Sequence, residues 1–235
     1  MTKSRIIHGD CLAVLPTLPK AKMIFADPPD NIGAKYEGYN DSFSSGYQYL
    51  LRQTINLGAV GAKIFWLSYN AHYHSDIYLN SELYDSRQFI WRFTFGQHRQ
   101  LDCGNGYRPL LRIMQKGASI YPASIRVPSA RQLKYQDKRA NPRGRVPDDV
   151  WEFPRVCGTF KEKRRWAVNQ HPEALIERIV KFSTRKGDLV IDMFAGSGTV
   201  NRVCQKLGRP CIGIEISPYY CQKIAEETGL KVAKA

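Results

Sequence analysis

Asp188-Leu189-Val190-Ile191-Asp192-Met193-Phe194-Ala195-Gly196-Ser197-Gly198-Thr199 runs from an apolar stretch into two closely spaced glycines and then into a segment of helical pattern. Leu189, Val190 and Ile191 suit a strand buried on both faces, as parallel strands are. Gly196 and Gly198 permit a tight turn whose backbone approaches a ligand with no side chain in the way. About twenty residues further on, Cys211-Ile212-Gly213-Ile214-Glu215 is a second buried-strand pattern ending in an acid. In nucleotide-binding α/β units an acid at that distance takes the ribose hydroxyls. Strand, glycine turn, helix, strand and acid predict a doubly wound, mostly parallel α/β sheet.

The turn lacks the third glycine of the dinucleotide pattern and any Gly-Lys-Ser/Thr, so it suits neither a pyrophosphate nor a nucleoside triphosphate. An adenosine carrying a non-phosphate group fits better. Phe194-x-Gly196-x-Gly198 followed by Gly213-x-Glu215 resembles the S-adenosylmethionine loop of class I methyltransferases, which have a Rossmann-like fold. The resemblance implies that Asp192, Phe194, Ala195, Gly196, Ser197, Gly198, Thr199 and Glu215 hold that cofactor.

The chain has 235 residues, 43% of them hydrophobic, which suits one large α/β domain with an insertion. No apolar run reaches membrane-spanning length, and residues 1–5 lead into a strand and helix pattern instead of a signal-peptide core, so a cytoplasmic protein is expected. Cys11, Cys103, Cys157, Cys204, Cys211 and Cys221 form no Cys-x-x-Cys pair and have no histidine at ligand spacing. Buried structural thiols are therefore expected, with neither a metal nor a disulfide framework. The net charge of +14 points to a polyanionic partner, and between Arg126 and Arg165 twelve Lys and Arg stand against five Asp and Glu. Half of the excess charge therefore lies in about forty residues, which favours nucleic acid.

Ile6 to Cys11 reads as a strand ending at Asp10, and Leu12 to Leu18 as a short helix stopped by Pro19. Lys22 to Ala26 is a buried strand running into Asp27-Pro28-Pro29-Asp30; two prolines cannot continue a ladder, so it ends at the carboxyl edge, where open α/β sheets keep their sites. Asn31 to Tyr47 is polar and rich in glycine and tyrosine, and reads as a mobile loop over that edge. Helices are expected over Tyr49–Val60 and Asp76–Leu83, and strands over Lys63–Ser68, Gln88–Phe95 and Leu110–Gln115. Periodicity disappears from Ala118 to Arg165, a region either disordered alone or ordered by binding. Pro172 then opens a helix carrying Leu175, Ile176, Ile179 and Val180 at helical spacing, and further helices are expected over Val200–Leu207 and Pro218–Thr228. The implied division is a catalytic half over residues 1–117, a recognition insertion over 118–165 and a cofactor half over 166–235.

Asp27-Pro28-Pro29 supplies what methylation of an exocyclic amine demands. Such a nitrogen shares its lone pair with the ring, and two acceptors taking its hydrogens favour a geometry in which the pair is freed. The carboxylate of Asp27 offers one acceptor, and the carbonyl of Pro28, held in a stiff turn, the other. No metal is required. With both segments in view the chain resembles the DNA amino-methyltransferases, whose signature is Asp-Pro-Pro-aromatic or Ser-Pro-Pro-aromatic. Asp27 tilts the resemblance towards adenine N6 over cytosine N4, and the catalytic segment preceding the cofactor segment is the permuted order of the β group.

In that resemblance Asp10 and Cys11 lie near the cofactor's adenine, Asp27 also borders the cofactor, and Asn169-Gln170-His171-Pro172 approaches the cofactor-covering helix. Asp30 departs from the signature, because the family's ring stacks on the flipped base and an aspartate does not. Tyr36 or Tyr39, with Phe43 a third choice, is expected to take over. Arg126, Arg131, Lys134, Arg139, Arg143 and Arg145, interleaved with aromatics such as Tyr135 and Trp151, sit where the family places its recognition region and are expected to contact double-stranded DNA. The resemblance thus implies a site-specific DNA methyltransferase of the kind found in restriction-modification systems. It also allows a homodimer and a solitary modifier carried by a virus or plasmid. Cytosine N4 or RNA as substrate, and a weak or non-catalytic DNA-binding protein, stay open as alternatives. C5-cytosine chemistry is unsupported, since Pro210-Cys211 lies inside a predicted strand.

Overall fold

The computed structural model describes residues 2–37, 39–42, 46–81, 84–94, 96 and 100–235. In chain order the strands are β1 (Arg5–His8), β2 (Ala21–Ala26), β3 (Lys35–Tyr36), β4 (Tyr39–Asn40), β5 (Ala62–Ser68), β6 (Asp85–Phe93), β7 (Tyr107–Met114), β8 (Val150–Phe153), β9 (Val190–Asp192), β10 (Cys211–Glu215) and β11 (Lys231–Lys234). The helices are α1 (Cys11–Val14), α2 (Tyr47–Gly61), α3 (His74–Ser81), α4 (Ala130–Leu133), α5 (Glu173–Ser183), α6 (Thr199–Leu207) and α7 (Pro218–Thr228).

Nine strands form one sheet in the order β11-β1-β10-β9-β2-β5-β7-β6-β8, in which β7 alone runs against its neighbours. Helices α1 to α3 pack on one face and α5 to α7 on the other, each side with its own apolar cluster. The expected α/β architecture is therefore present. On α5, Leu175, Ile176, Ile179 and Val180 are at most 1% exposed, so the helical spacing read from the sequence is the stripe that packs. Burial of each such side chain contributes about 1.5–3 kcal/mol. Trp66, fully buried on β5, satisfies its indole N–H on Ser183 Oγ at 2.8 Å, joining sheet and α5.

The site's position follows from the topology. From β9 the chain crosses through α6 to β10 on one side, while from β2 it crosses through α2 to β5 on the other. β2 and β9 are parallel neighbours, with Phe25 opposite Asp192. Crossovers leaving adjacent strands in opposite directions open a crevice at their carboxyl ends.

Several expectations are corrected. The segment 118–165 is not devoid of regular structure: Val127 and Arg145 form a bridge, Ser129 and Gln132 make a capping box on α4, and β8 pairs with β6, its Trp151 only 1% exposed. Trp151 is the largest anchor of this otherwise polar stretch, with Ile125 buried in the same apolar cluster and Phe153 packed against it. The loop after β2 contains the hairpin β3–β4, and the buried carboxylate of Asp41 accepts N–H groups of Asn31, Ile32 and Ala34. The carboxy-terminal β11, which nothing in the sequence singled out, pairs with β1. Helix α1 is shorter than expected and passes into a 3₁₀ turn over Leu15–Thr17. Cys103 is exposed and Cys157 half-buried, so only four of the six thiols are buried. Leu83, Phe95 and Phe43, named above, lie outside the described residues.

Candidate active site

Where β2 and β9 end, their two turns leave the sheet side by side, and the Met193 N–H donates to the Phe25 carbonyl at 2.9 Å. Asp27 is two residues beyond Phe25, and Phe194 two beyond Asp192. Both turns border one cavity of about 390 Å³. Its wall includes Asp27 and Pro29 from the first turn, Asp192, Phe194, Ala195, Gly196, Ser197 and Thr199 from the second, and Asp10, Cys11, Tyr36, Tyr39, His171 and Glu215 around them. Pro28, Asp30 and Gly198 do not line it. Pro28 is buried behind the turn, and Gly198 sits at the start of α6, where its φ of 72° is the left-handed region that glycine tolerates.

The glycine turn is held from three sides. Glu215 accepts the Gly196 N–H at 2.8 Å through one carboxylate oxygen and the Ser217 N–H at 2.9 Å through the other. The Ile216 N–H adds a third backbone hydrogen bond, so part of the carboxylate's acceptor capacity is left for a ligand. Arg202 on α6 donates to the Ser197 carbonyl at 2.6 Å and to Glu173 at 3.1 Å, tying the turn to the start of α5. Gly213 on β10 is required for packing: a Cβ there would lie 2.8 Å from the Asn201 side chain and 3.1 Å from the Ala195 Cβ. Asp10 caps α1 through the Leu12 N–H at 2.9 Å and still borders the cavity.

The wall is largely apolar, and its charged side chains are acidic. Asp10, Asp27, Glu37, Asp192 and Glu215 line it, and among the described residues no Lys or Arg does. Burial, reinforced by the charges of Asp27 and Glu215, pushes the Asp192 carboxyl up to about 8, and burial also raises Glu215 against the pull of its backbone hydrogen bonds. Burial likewise pushes the Cys11 thiol up to about 12, which makes it an inert wall residue.

Around Asp27 the structure assembles partners that sequence reading missed. Arg108 on β7 donates from Nη2 to Asp27 Oδ1 at 2.8 Å, from Nη1 and Nη2 to both oxygens of Asp30 at 2.9 Å, and from Nε to Ser68 Oγ at 2.7 Å. His171 Nδ1 lies 3.3 Å from the other Asp27 oxygen, and its Nε2 is 2.9 Å from Ser68 Oγ. One proton assignment satisfies the chain: the Arg108 Nε–H donates to Ser68, the Ser68 hydroxyl to His171 Nε2, and the His171 Nδ1–H to Asp27. Burial, helped by the Arg108 charge, outweighs the pull of Asp27 and lowers His171, so the ring is neutral at pH 7. Burial alone would lower Arg108, but the two carboxylates outweigh it and hold the guanidinium protonated. Tyr47 donates its hydroxyl to the Pro29 carbonyl, fixing the proline turn to α2. Asp30, an acid where a ring was expected, was the sequence's one signal that a cation had to be nearby; which of 35 Lys and Arg it would be was not readable.

Tyr36 and Tyr39 stand on the β3–β4 hairpin with ring centroids 6.2 Å apart, and the Tyr36 hydroxyl accepts from Asn169 at 3.0 Å. Burial raises both phenols, Tyr39 to about 12. The six basic residues expected to contact DNA are exposed but not equivalent. Arg126 donates to the Gly144 carbonyl, Arg139 pairs with Asp137 and Arg145 with Asp148, whereas Arg131, Lys134 and Arg143 have no described side-chain partner.

A doubly wound sheet with a glycine turn and an Asp-Pro-Pro turn on one crevice defines the architecture, and comparison with known proteins fixes the family. The family model for DNA methylases of N6/N4 type matches residues 21–227, and the chain belongs to that family. It is 31% identical to the DNA adenine methyltransferase YhdJ of Escherichia coli (strain K12), over 92% of this chain and 79% of that protein. Among solved structures, the PvuII DNA methyltransferase (cytosine-N4-specific) aligns with a TM-score of 0.70 at 15% identity, over 95% of this chain and 86% of that one. The M1.HpyAVI–SAM complex aligns with a TM-score of 0.66 at 20% identity, over 96% and 99%. These two likenesses concern the fold. No described helix is long and apolar enough to cross a membrane, and no cluster of metal-binding side chains exists among the described residues.

Proposed function

We propose that the protein is an S-adenosylmethionine-dependent DNA methyltransferase that modifies adenine at N6. The observation that carries this reading is the single acid-lined cavity shared by the Asp-Pro-Pro turn and the glycine turn. Its charge suits a ligand that carries a sulfonium and an ammonium group and opposes one that carries phosphates. When bound, S-adenosylmethionine supplies an activated methyl group. Glu215 would take the ribose hydroxyls, the Phe194–Thr199 turn would follow the amino-acid arm, and Asp10 and Cys11 would border the adenine.

The second substrate is an adenine flipped out of the duplex. The Asp27 carboxylate, which borders the cavity, accepts an N6 hydrogen, which helps to free the nitrogen lone pair and takes up the positive charge that develops on the amine. Asp27 receives the proton released after transfer and passes it to solvent. Tyr36 and Tyr39 take over the stacking that Asp30 does not provide. Arg131, Lys134 and Arg143 hold phosphates of double-stranded DNA. Adenine is favoured over cytosine because of Asp27 and because the 31%-identical relative is named as an adenine methyltransferase.

Incubating the protein with tritiated cofactor and unmethylated DNA, then digesting the DNA to nucleosides, tests the reading. Label in N6-methyl-2′-deoxyadenosine is the expected result. Label in N4-methyl-2′-deoxycytidine would replace the base. DNA binding without label would favour the non-catalytic reading suggested by Asp30.

A further inference from the structure

We propose that Arg108 is a positioning residue for Asp27, and that Asp30 acts through Arg108 and not on the base. The proposal rests on the reading of Asp27 as the acceptor of the amine. Asp30 does not border the cavity, its side chain is 15% exposed, and both its oxygens are spent on the guanidinium fork of Arg108. Such a bidentate pair fixes the orientation of both groups as well as their distance. With Ser68 on Nε and Asp27 on Nη2, four of the five N–H directions of Arg108 are committed, so its plane has nowhere to turn.

The consequence falls on Asp27. A lone carboxylate at the mouth of a cavity rotates about two side-chain bonds, and an acceptor that must meet a particular N–H loses by that freedom. Here one oxygen is held by Arg108 and the other by His171, and each retains a lone pair for the amine. Two carboxylates this close would also repel each other. The guanidinium between them leaves the trio with one net negative charge, as a developing ammonium requires. Asp30 and Arg108 are thus a unit in which the acid keeps the cation from closing on Asp27 as a two-toothed pair. Restoring an aromatic with Asp30→Tyr is expected to slow the enzyme, because Arg108 would then turn its whole fork onto Asp27.

The test uses full-length protein with single-turnover methyl transfer, cofactor affinity by calorimetry, and the side-chain carboxyl-carbon resonance of Asp27. Asp30→Asn, Asp30→Tyr and Arg108→Met are each expected to lower the transfer rate constant tenfold or more with cofactor affinity changed less than threefold. Arg108→Lys should restore part of the rate. Adding Asp30→Asn to Arg108→Met should cost less than a further twofold. The Asp27 resonance should move in Asp30→Asn as well as in Arg108→Met. Rates within twofold of wild type in Asp30→Asn, multiplying losses in the double variant, or an unmoved Asp27 resonance would overturn the proposal. The resonance needs no activity, so a wild-type protein that transfers no methyl while Asp27 still responds to both variants would remove the methylation reading and leave the clamp.

Discussion

The two walls of the cavity are built on opposite principles. The glycine wall is local: β9, the turn at residues 193–198, α6 and β10 are consecutive in the chain, and Glu215 reaches back only nineteen residues to the Gly196 N–H. The proline wall is assembled from afar. Asp27 is held by Arg108, 81 residues away, and by His171, while Ser68 meets Arg108 across 40 residues and His171 across 103. A wall made of neighbours can be read from their order; one made of distant partners reveals some members, here Asp27 and His171, but not how they pair.

The contrast is open to experiment, and the largest effect belongs to the distant wall. Asp27→Ala is expected to lower single-turnover methyl transfer by about 10²–10³-fold, the scale for losing one group aimed at developing charge. An unchanged rate would show that this wall does no chemistry. Tyr36→Ala and Tyr39→Ala come next. If either ring stacks on the extruded base, its loss costs roughly 1–3 kcal/mol of DNA-dependent activity, and wild-type kinetics in both would leave the stacking assignment unsupported.

On the local wall, Gly213→Val should lower unfolding free energy by about 1–3 kcal/mol and weaken cofactor binding with it, since the added side chain meets Asn201 and Ala195. Denaturant titration and calorimetry together would register both losses. Asp192 offers a finer measurement. Its folded pKa of about 8 lies above the unfolded value near 3.8, so between those limits the folded chain keeps a proton that the unfolded chain has released. Stability from this group is full at low pH and falls as pH rises towards 8, by up to about 1.4 kcal/mol per unit. Asp192→Asn should remove that slope, so that the difference between wild-type and variant stabilities falls with pH in titrations run from pH 5 to 8. The mildest change is expected from Arg131→Ala, Lys134→Ala and Arg143→Ala combined, which should reduce the dependence of log DNA affinity on log salt by about 2 to 3. A triple variant with an unchanged slope would move the DNA interface elsewhere.

The asymmetry also explains what the sequence disclosed. Apolar runs long enough to carry a period gave β2, β5, α5, α6 and α7 close to their observed limits, because burial on both faces of the sheet leaves a continuous apolar signature. β11 escaped notice since its residues, Lys231-Val232-Ala233-Lys234, are half polar and enter the sheet only by pairing with β1. β8 was hidden for a related reason: amid prolines and arginines, only Trp151 and the partly buried Phe153 give it an apolar anchorage. In the site, Asp27, Gly196 and Glu215 were legible from residue type and spacing. Arg108, Ser68 and Tyr47 were not, because each acquires a role only when the sheet brings its strand or helix to the crevice.

The strand order carries one further consequence, for how the molecule comes into being. β1 and β2 are made first, yet β10 and β9, both drawn from the final quarter of the polypeptide, stand between them. A growing chain leaving the ribosome therefore holds β1 as a lone strand, and a β2-β5-β7-β6-β8 fragment with an unsatisfied edge, until β9 and β10 have been made. During that interval those edges are open to wrong partners, and the same late β9-α6-β10 crossover that joins the sheet also delivers the glycine turn to its place opposite the prolines.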